Sequence, residues 1–584
     1  MRTVLAYLFF FSGLVSMASA APRINGYEPA WWKQAVVYQV YPRSFSDTNG
    51  DGIGDLAGVT SKLDYLQTLG VDVIWLSPHY DSPNADNGYD IRDYEKVMAE
   101  FGTMADFDHM LAQLKRRKMR LIIDLVVNHS SDEHRWFQAS RSSRTSPFRD
   151  YYIWRDGKPN AAAPHGFDPP NNWRSFFSGS AWEFDQPSKQ FYLHLFAKKQ
   201  PDLNWDNARV RKEVYGLMRF WLDKGVDGFR MDVITLISKP AGLPDLTAAQ
   251  LDNPSATFAM GPHRDEYLQE MNNEVLSHYD LMTVGEADGI TLKDQTPLVD
   301  DRRHELGMVF NFDAVRLDRD VHRKWRDWTL QELKAVFDKH ARELDKHVWD
   351  TVFLSNHDNP RMVSSFGDDS TPELRVRSAK LLETLVLTQR GTPFLYQGDE
   401  LGMTNYPFRT IADFDDIEVK NAYAAQVKTG KVPEAAFLAD LRRTSRDNAR
   451  TPMQWSAAAH AGFSTGTPWL AVNPAYTTIN AAQETADPKS VYRFTQALVA
   501  LRHAHPAFVY GDYADLAPTD AHLYAYTRTL GRERWLVVLN FGAARAYTVP
   551  YEDPTLVLGN VDDPKAELAA WEARVYRLST GAAK

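Results

Sequence analysis

Short apolar segments alternate with helix-like segments over most of the chain. The helical segments carry apolar residues at every third or fourth position, whereas the short segments are apolar throughout, as strands buried on both faces of a sheet are. The segments that we predict as strands are 35–40, 73–76, 120–127, 228–233, 281–286, 352–354 and 394–397. So many strand–helix units in one α/β domain favour a closed (β/α)8 TIM barrel over an open sheet.

Two regions depart from this alternation. From 129 to 199 the periodicity gives way to Trp, Tyr, Pro, Gly and Asn, which predicts a small subdomain inserted after strand 3 of the barrel. From 508 to 584, short alternating segments predict a C-terminal antiparallel β-sandwich domain. The predicted catalytic barrel therefore comprises residues 21–128 and 200–507.

The start of the chain has the pattern of an export signal. Arg2 precedes an apolar run over 4–15, and Ala18-Ser19-Ala20 offers a small-x-small cleavage site. Because this run is shorter than a membrane span needs, we expect cleavage near Ala21 rather than a retained anchor. The sequence thus predicts a signal peptide over 1–20 and a periplasmic or secreted mature protein that is not attached to a membrane.

Composition narrows the classes of function. The 584 residues carry a formal net charge of −10 and no Lys/Arg cluster, which argues against binding to nucleic acid. The absence of cysteine excludes disulfides, thiol chemistry and thiolate metal sites. No phosphate loop, Gly-x-Gly-x-x-Gly motif or nucleophile elbow occurs in the sequence. We therefore predict no organic cofactor, and a monomer is our default expectation.

Charged side chains stand where the predicted strands end, which is where barrel enzymes place their catalytic groups. Arg230 and Asp232 end one strand, Glu286 ends the next, and Asp358 follows a later one. Taken alone, Arg230 and Asp232 could be a structural ion pair. Clustered carboxylates, however, suit cleavage of a glycosidic bond, in which one attacks the anomeric carbon and the other protonates the leaving oxygen. We expect Arg230 to hold Asp232 ionised and a drier setting to keep Glu286 protonated.

Five segments carry a resemblance to a known family. Four of them are similar to the conserved regions of the α-amylase family of glycoside hydrolases, and the fifth to a region typical of its oligo-1,6-glucosidase subfamily. In that order the segments are 124–129 (DLVVNH), 228–232 (GFRMD), 284–286 (VGE), 353–358 (FLSNHD) and 200–204 (QPDLN). The resemblance implies the barrel, the inserted subdomain, the C-terminal β domain and a retaining mechanism. It implies that Asp232 is the nucleophile, that Glu286 is the acid/base, and that Asp358 clamps two sugar hydroxyls.

The same resemblance implies a pocket for the terminal non-reducing glucose of short di- and oligosaccharides. It implies that Asp86 pairs with Arg450 to close the pocket, so that the enzyme trims chain ends. Tyr89 would stack on the glucose, and His129 and His357 would bond its hydroxyls. For Tyr89 alone, packing in the core is the commoner explanation.

Residues 47–55 (DTNGDGIGD) space oxygen ligands as the start of an EF-hand loop does. The predicted ligands are the side chains of Asp47, Asn49, Asp51 and Asp55 and the carbonyl of Ile53. Position 12 of the loop is Gly58, so the bidentate glutamate is missing, and an Asx-turn loop without metal is the alternative. We expect a structural Ca²⁺ that serves stability.

The resemblance leaves two activities open. Residues 316–320 (RLDRD) are similar to the charged loop of the sucrose isomerases, which make isomaltulose or trehalulose. After the acid/base those enzymes have an aromatic residue where this chain has Asp288, and after the nucleophile they have Thr where it has Val233. Because loss of an aromatic wall admits water, we expect an exo-acting α-glucosidase of the isomaltase type, with transglucosylation as a side reaction.

Sucrose isomerase is the alternative to that expectation. A non-catalytic sugar-binding or transporter-associated subunit is a remote third possibility, against which the three retained carboxylates Asp232, Glu286 and Asp358 argue.

Overall fold

The computed structural model describes residues 22–320 and 323–579. The predicted signal peptide lies outside these ranges. Eight short parallel strands form the central sheet, and their bounds are β1 (Val37–Val40), β2 (Val73–Leu76), β3 (Arg120–Val126), β4 (Gly228–Asp232), β5 (Met282–Glu286), β6 (Met308–Phe310), β7 (Thr351–Val352) and β8 (Thr392–Tyr396).

The sheet curls into a nearly closed barrel. Its strand order is β6-β5-β4-β3-β2-β1-β8-β7. The gap between the two outer strands is bridged by the Thr351 hydroxyl, which donates to the Val309 carbonyl at 3.0 Å. The predicted (β/α)8 barrel is therefore confirmed.

All seven predicted strands overlap strands of this barrel, with ends that differ by at most two residues. β2 has the predicted bounds, whereas β6 was not predicted at all and β7 lies at Thr351–Val352 instead of 352–354. Both are very short, and β6 is defined by its pairing with Val284–Glu286 of β5 rather than by a local pattern. Contacts between distant segments decide such strands, and no window of sequence contains them.

Helices cover the outside of the barrel. The longer ones are Met104–Arg116, Ala208–Lys224, Arg264–Glu274, Leu330–Glu343, Pro372–Thr388 and Val491–Ala504. The shorter ones are Trp31–Gln34, Leu56–Ser61, Leu63–Leu69, Arg135–Arg141, Ala248–Asp252, Pro254–Phe258, Leu292–Gln295, Met362–Phe366, Ile417–Gln426, Glu434–Thr444, Asp447–Arg450, Ala481–Ala486 and Ala507–Tyr510. Within the described ranges, none of the helices has the length and apolarity that crossing a bilayer requires.

Gly225 directs the chain into β4. It caps the helix Ala208–Lys224 with a φ of 103°, a left-handed conformation that glycine adopts without strain. The next strand starts at Gly228, where a Cβ would come within 1.9 Å of the Met282 carbonyl oxygen. Both glycines are therefore needed to bring Arg230 and Asp232 to the mouth of the barrel.

The segment between β3 and the helix Ala208–Lys224 forms a small antiparallel sheet of its own. Its strands are Trp154–Arg155, Gln190–Leu193 and Trp182–Asp185, in that spatial order. A buried ammonium group ties this segment to the barrel, because Lys239 donates to Asp202, to Asn128 and to the Leu236 carbonyl at 2.6–2.7 Å. These three oxygens offset the cost of burying the cation.

The C-terminal part of the chain forms a five-stranded antiparallel sheet, as predicted. In spatial order its strands are Asp512–Asp515, Leu523–Leu530, Glu533–Asn540, Ala573–Arg577 and Thr555–Gly559. The predicted strand at 546–549 is wrong. Only Arg545–Ala546 is extended there, and the last place in the sheet is taken by Thr555–Gly559. The bounds that we predict for the domains stay predictions.

One carboxyl group in the barrel's helical layer has no evident role in folding. Glu383 is fully buried in the helix Pro372–Thr388, and neither of its oxygens has a hydrogen-bond partner in the described chain. Burial, with the nearby Asp399 and Glu400 carboxylates, raises the pKa of Glu383 well above its usual value. The folded protein therefore keeps this proton at a pH at which the unfolded chain releases it.

Replacing this group should stabilise the protein. The pKa of Glu383 is higher in the folded state than in the unfolded chain. The contribution of Glu383 to stability therefore falls as the pH rises above the pKa of an ordinary glutamate. We expect Glu383→Leu to increase the free energy of unfolding by about 1–3 kcal/mol, the cost of an unpaired buried polar group. The gain should be larger at pH 8 than at pH 5 in denaturant titrations. Glu373→Leu, at an exposed site of the same helix, is the control, and an equal gain there would contradict the explanation.

Candidate active site

A single buried cation joins three strand ends at the mouth of the barrel. Arg230, on β4, donates to Asp124 at 2.5 Å, to Asp232 at 2.7 Å and to Glu286 at 2.5 Å. Its side chain is 3% exposed, and Asp124 also accepts from the Trp75 indole. The predicted nucleophile and acid/base are thus held by the two terminal nitrogens of one guanidinium.

The sharing of Arg230 corrects one expectation from the sequence. Burial raises the pKa of Asp232 well above its usual value; Arg230 opposes this shift, and the Glu286 and Asp124 carboxylates add to it. We expected Arg230 to keep Asp232 ionised, but its one positive charge is divided among three carboxylates. The cluster therefore holds a proton into a higher pH range than isolated carboxyls would.

Val233, the residue after the predicted nucleophile, has a strained backbone. Its φ of 35° and ψ of 38° lie in the left-handed region, which is a rare conformation for a β-branched residue. Its amide faces the Glu286 carboxylate at 3.3 Å, and its side chain lines the pocket. The strained residue therefore bridges the predicted nucleophile and the predicted acid/base.

The third predicted catalytic carboxylate, Asp358, is surrounded by positive charge. It contacts Arg450 at 2.7 Å, His357 at 3.1 Å and Arg446 at 3.3 Å. Although burial favours the protonated acid, His357 and the two arginines hold the pKa of Asp358 well below its usual value. Asp358 is therefore ionised wherever the protein is folded at ordinary pH.

The predicted pair of Asp86 and Arg450 is wrong. Within the described residues no ion pair joins these two side chains; Arg446 lies 3.7 Å from Asp86 instead and lines the pocket. Arg450 is 1% exposed and packs behind Asp358, where it also donates to the His357 carbonyl. Arg446 and Arg450 are one helical turn apart, so the sequence motif alone does not tell which of them faces the pocket.

Asp86 closes the inner end of the pocket together with Gln200 and Arg446. One carboxylate oxygen accepts from the Gln200 amide at 3.0 Å, whereas the other has no hydrogen-bond partner in the described part of the chain. Burial raises the pKa of Asp86 to about 7, although the positive charges of Arg446 and Arg450 partly oppose this shift. A buried oxygen without a partner is costly unless a ligand supplies the hydrogen bond.

The predicted aromatic and imidazole groups form the wall beside these charges. Tyr89 stacks on His357 with ring centroids 5.5 Å apart, and its hydroxyl lies 2.7 Å from Nε2 of that ring. His129 lies 3.1 Å from the Tyr89 carbonyl and 3.2 Å from Gln200. Burial lowers the pKa of His129 to about 4, so this imidazole is neutral at neutral pH.

One cavity of about 510 Å³ is lined by the three predicted catalytic carboxylates and by Asp86, Tyr89, His129, Gln200, Val233 and Arg446. Phe176, Phe177 and Phe196 line it on the side of the inserted segment. Two further ion pairs line the cavity, one between Asp288 and Arg316 and the other between Arg323 and Glu418, and Glu418 also lies 3.7 Å from Arg446. The cavity thus combines a charged inner end, carboxylates on one wall and aromatic rings on another, which suits a sugar with many hydroxyls.

The structure brings together every predicted catalytic and substrate-binding residue. Arg230, His357 and Arg450 contact the catalytic carboxylates from behind and do not line the cavity themselves. The sequence does not predict that Arg446, Gln200 or Glu418 lines this pocket. It singles out Asp288 only as the residue that replaces an aromatic side chain. Gln200 and Arg446 lie within motifs that the sequence does display. Their side-chain directions, however, follow from tertiary packing.

The predicted calcium loop folds as a series of Asx turns. Asp47 accepts from the amides of Asn49, Gly50 and Gly52 and from the Ser464 hydroxyl. Asn49 and Asp51 accept from amides two residues on, and Asp55 caps the helix Leu56–Ser61 by accepting from Gly58.

The electrostatics of the loop suit a cation. Burial raises the pKa of Asp47, but these hydrogen bonds outweigh it and lower the pKa below its usual value. The loop is anionic and rich in oxygen atoms, as calcium loops are. The carboxylate oxygens of Asp47, Asp51 and Asp55 nevertheless do not all lie within 4.8 Å of one another in the described chain.

Comparison with known proteins identifies relatives over nearly the whole chain. The family model described as "Alpha amylase, catalytic domain" matches residues 39–511. The oligo-1,6-glucosidase of Parageobacillus thermoglucosidasius is 50% identical over 567 residues, covering 94% of this chain and 99% of that protein. The glucan 1,6-alpha-glucosidase of Streptococcus pneumoniae is 46% identical over 558 residues, with coverages of 94% and 99%.

Solved structures of isomaltulose synthases are equally similar. The enzyme from Erwinia rhapontici NX5 superposes with a TM-score of 0.91 at 52% identity, covering 94% of this chain and 99% of that one. The enzyme from Protaminobacter rubrum gives a TM-score of 0.91 at 50% identity, with coverages of 94% and 100%. Together with the family match and the barrel-mouth carboxylates, these similarities show that the chain belongs to the α-amylase family of glycoside hydrolases.

Proposed function

We propose that the protein is an exo-acting, retaining α-glucosidase of the oligo-1,6-glucosidase type. It releases the terminal non-reducing glucose from short α-glucosides, with isomaltose as the preferred substrate and sucrose as a further candidate, and it transfers some of that glucose to other sugars. The observation that carries the proposal is the arrangement of Asp232 and Glu286 on one guanidinium, at the side of a pocket whose inner end is closed.

In the proposed mechanism Asp232 attacks the anomeric carbon while Glu286 gives its proton to the leaving oxygen. A covalent glucosyl-enzyme forms, and water activated by Glu286 then hydrolyses it with retention of configuration. This step requires Asp232 to be ionised and the proton to be on Glu286. Asp358 is held ionised by three basic groups, so it can accept hydrogen bonds from two glucose hydroxyls.

The closed inner end supports trimming of chain ends. Asp86, Arg446 and Gln200 fill the space where a longer chain would have to continue. The oxygen of Asp86 that accepts no hydrogen bond within the described chain lies 3.7 Å from Arg446 and is available to a hydroxyl of the terminal glucose. A sugar with a further residue attached there would leave these buried charges without partners, which binding does not tolerate.

Hydrolysis and isomerisation differ in the fate of the released sugar. The relatives named as oligo-1,6-glucosidases and glucan 1,6-alpha-glucosidases support hydrolysis, whereas the isomaltulose synthase structures support sucrose isomerisation as the second candidate. Asp288, a charged residue beside Glu286, favours hydrolysis because it offers the departing sugar no aromatic surface.

Product analysis separates the two candidates. We expect isomaltose to give glucose, and sucrose, where it is cleaved, to give glucose and fructose as the main products. Ion-exchange chromatography with amperometric detection would quantify them over time. A yield of isomaltulose or trehalulose that exceeds that of free glucose from sucrose would identify the enzyme as an isomerase.

The catalytic roles are tested by conservative substitutions. Asp232→Asn keeps the shape of the nucleophile but removes its charge, and we expect kcat on isomaltose to fall by about 10⁴-fold or more. Glu286→Gln should impair an aryl α-glucoside with a good leaving group much less than isomaltose, because only isomaltose needs the proton. Circular dichroism would verify folding, and undiminished activity of Asp232→Asn would refute the assigned nucleophile.

We propose further that the loop of Asp47, Asn49, Asp51, Ile53 and Asp55 binds a structural Ca²⁺. The Asx turns constrain the backbone of this loop, which carries all of the proposed ligand oxygens. Bound calcium would fix the start of the first barrel helix and take no part in catalysis.

Calcium binding is measurable through stability. A ligand that binds only the folded state adds about 2.7 kcal/mol at 100 times its dissociation constant, so millimolar Ca²⁺ should raise Tm and EDTA should lower it. Asp51→Ala should abolish the response to both additions. Asp93→Ala, outside the loop, should keep it, and an unchanged response in Asp51→Ala would contradict the site.

We also propose that the protein is exported and acts as a monomer outside the cytoplasm. The export signal predicted over 1–20 supports the first part. Small di- and oligosaccharides that enter the periplasm or the medium would then be its substrates.

A further inference from the structure

The side of the pocket that would receive the departing sugar contains Phe312, an aromatic ring that lines the cavity and has a guanidinium over it. Phe312 and Arg316 follow β6 in a turn, and the Arg316 amide donates to the Phe312 carbonyl at 3.2 Å. Residues four apart in such a turn present their side chains on one face. The guanidinium carbon of Arg316 accordingly lies 4.5 Å from the centre of the Phe312 ring.

Asp288 forms an ion pair with this guanidinium. Its carboxylate accepts from Arg316 with one oxygen and from the Ser255 hydroxyl, at 3.3 Å, with the other. Gly289 has a φ of 77°, and a Cβ there would come within 2.3 Å of the Ser255 Cβ. The loop that carries Asp288 is therefore packed tightly against Ser255, and the carboxylate has a fixed position.

Two other basic groups of this wall, Arg319 and Arg323, have their own partners. Arg319 pairs with Asp318 at 2.7 Å, and Arg323 pairs with Glu418 at 3.1 Å. Burial works to raise the pKa of Asp288, but Arg316 and Arg323 outweigh it and hold the pKa below its usual value. Asp288 is thus a permanent carboxylate that binds Arg316 in particular.

We infer that Asp288 is a positioning residue that keeps the Arg316 guanidinium over Phe312, so that the departing group meets N–H donors instead of an aromatic face. The inference rests on the proposed function and specifies which aglycones this site takes. A neutral sugar offers hydroxyl oxygens to the guanidinium, whereas a flat aryl group would need the ring face that Arg316 covers.

The covered ring also affects what happens after cleavage. A sugar held by hydrogen bonds at an accessible wall exchanges those bonds with water, whereas a sugar stacked on an aromatic ring loses that contact when it leaves. Asp288 therefore favours release of the departing sugar and hydrolysis of the glucosyl-enzyme over recapture.

The test compares two substrates that share the same glucose. Asp288→Asn keeps the size of the side chain and removes the charge that holds Arg316, and Arg316→Met removes the guanidinium itself. For each variant we expect KM for isomaltose to rise about tenfold, the lower end for a charged hydrogen bond, while KM for 4-nitrophenyl α-glucoside rises less than about twofold. The effect on kcat should be smaller than that on KM for isomaltose.

The double variant and the products provide independent readouts. If Asp288 acts through Arg316, then the variant with both substitutions should be no worse on isomaltose than Arg316→Met alone. The share of transfer products from sucrose, measured at equal conversion, should rise in both single variants. Asp415→Asn, which breaks an exposed pair with Lys420, is the control and should leave both KM values unchanged.

Three results would overturn the inference. Equal losses on the two substrates would mean that the pair only maintains the structure, and losses that multiply in the double variant would mean that Asp288 acts independently of Arg316. An unchanged share of transfer products together with unchanged KM values would mean that the pair has no influence on the departing sugar. Failure of the unsubstituted enzyme to release glucose from either substrate would instead refute the proposed function, and this inference with it.

Discussion

The whole active site depends on the one guanidinium that Arg230 places among three carboxylates. Arg230 lies opposite Asp124 in the register of β3 and β4, and opposite Val284 in the register of β4 and β5. Glu286 is two residues beyond Val284, so it reaches the guanidinium from the mouth of the barrel. A slip of either strand by one residue would turn these side chains to the other face. The arrangement of the catalytic carboxylates therefore depends directly on the strand register.

This constraint also explains why the site holds a proton. A buried carboxylate that loses its cation costs about 3–5 kcal/mol, so each of the three acids competes for Arg230. One positive charge does not neutralise three carboxylates, and burial raises the free energy of the negative charge that is left uncompensated. The cluster relieves it by keeping a proton, which is what an enzyme with a general acid requires. At Asp358 the balance is reversed, since several basic groups surround a single carboxylate that stays ionised.

Much of the fold and of the site could be predicted from sequence because strand ends in a barrel meet at one place. Asp232, Glu286 and Asp358 are far apart along the chain, and their positions after apolar segments were enough to bring them together. What could not be predicted depends on side-chain direction. Arg446 and Arg450 occupy one short motif, and only packing against Asp86 and Asp358 decides which of them faces the pocket. The three-residue strand β6 was missed because the neighbouring strand defines it, and no local pattern does.

The two sides of the pocket differ in how strongly they are determined. On the glucose side, Asp86, Gln200, Arg446 and Asp358 share partners, so any one of them is held by several others. The wall facing the departing sugar has fewer shared partners. Among the described residues, Asp288 forms an ion pair with Arg316 alone, whereas Glu418 pairs with Arg323 and lies 3.7 Å from Arg446. Relatives named for hydrolysis and for isomerisation are about equally similar to this chain, at 50% and 52% identity. Overall similarity therefore does not distinguish the two reactions. The difference has to lie in a few side chains, and the pair of Asp288 and Arg316 is where a single substitution can change the product without disturbing the catalytic carboxylates.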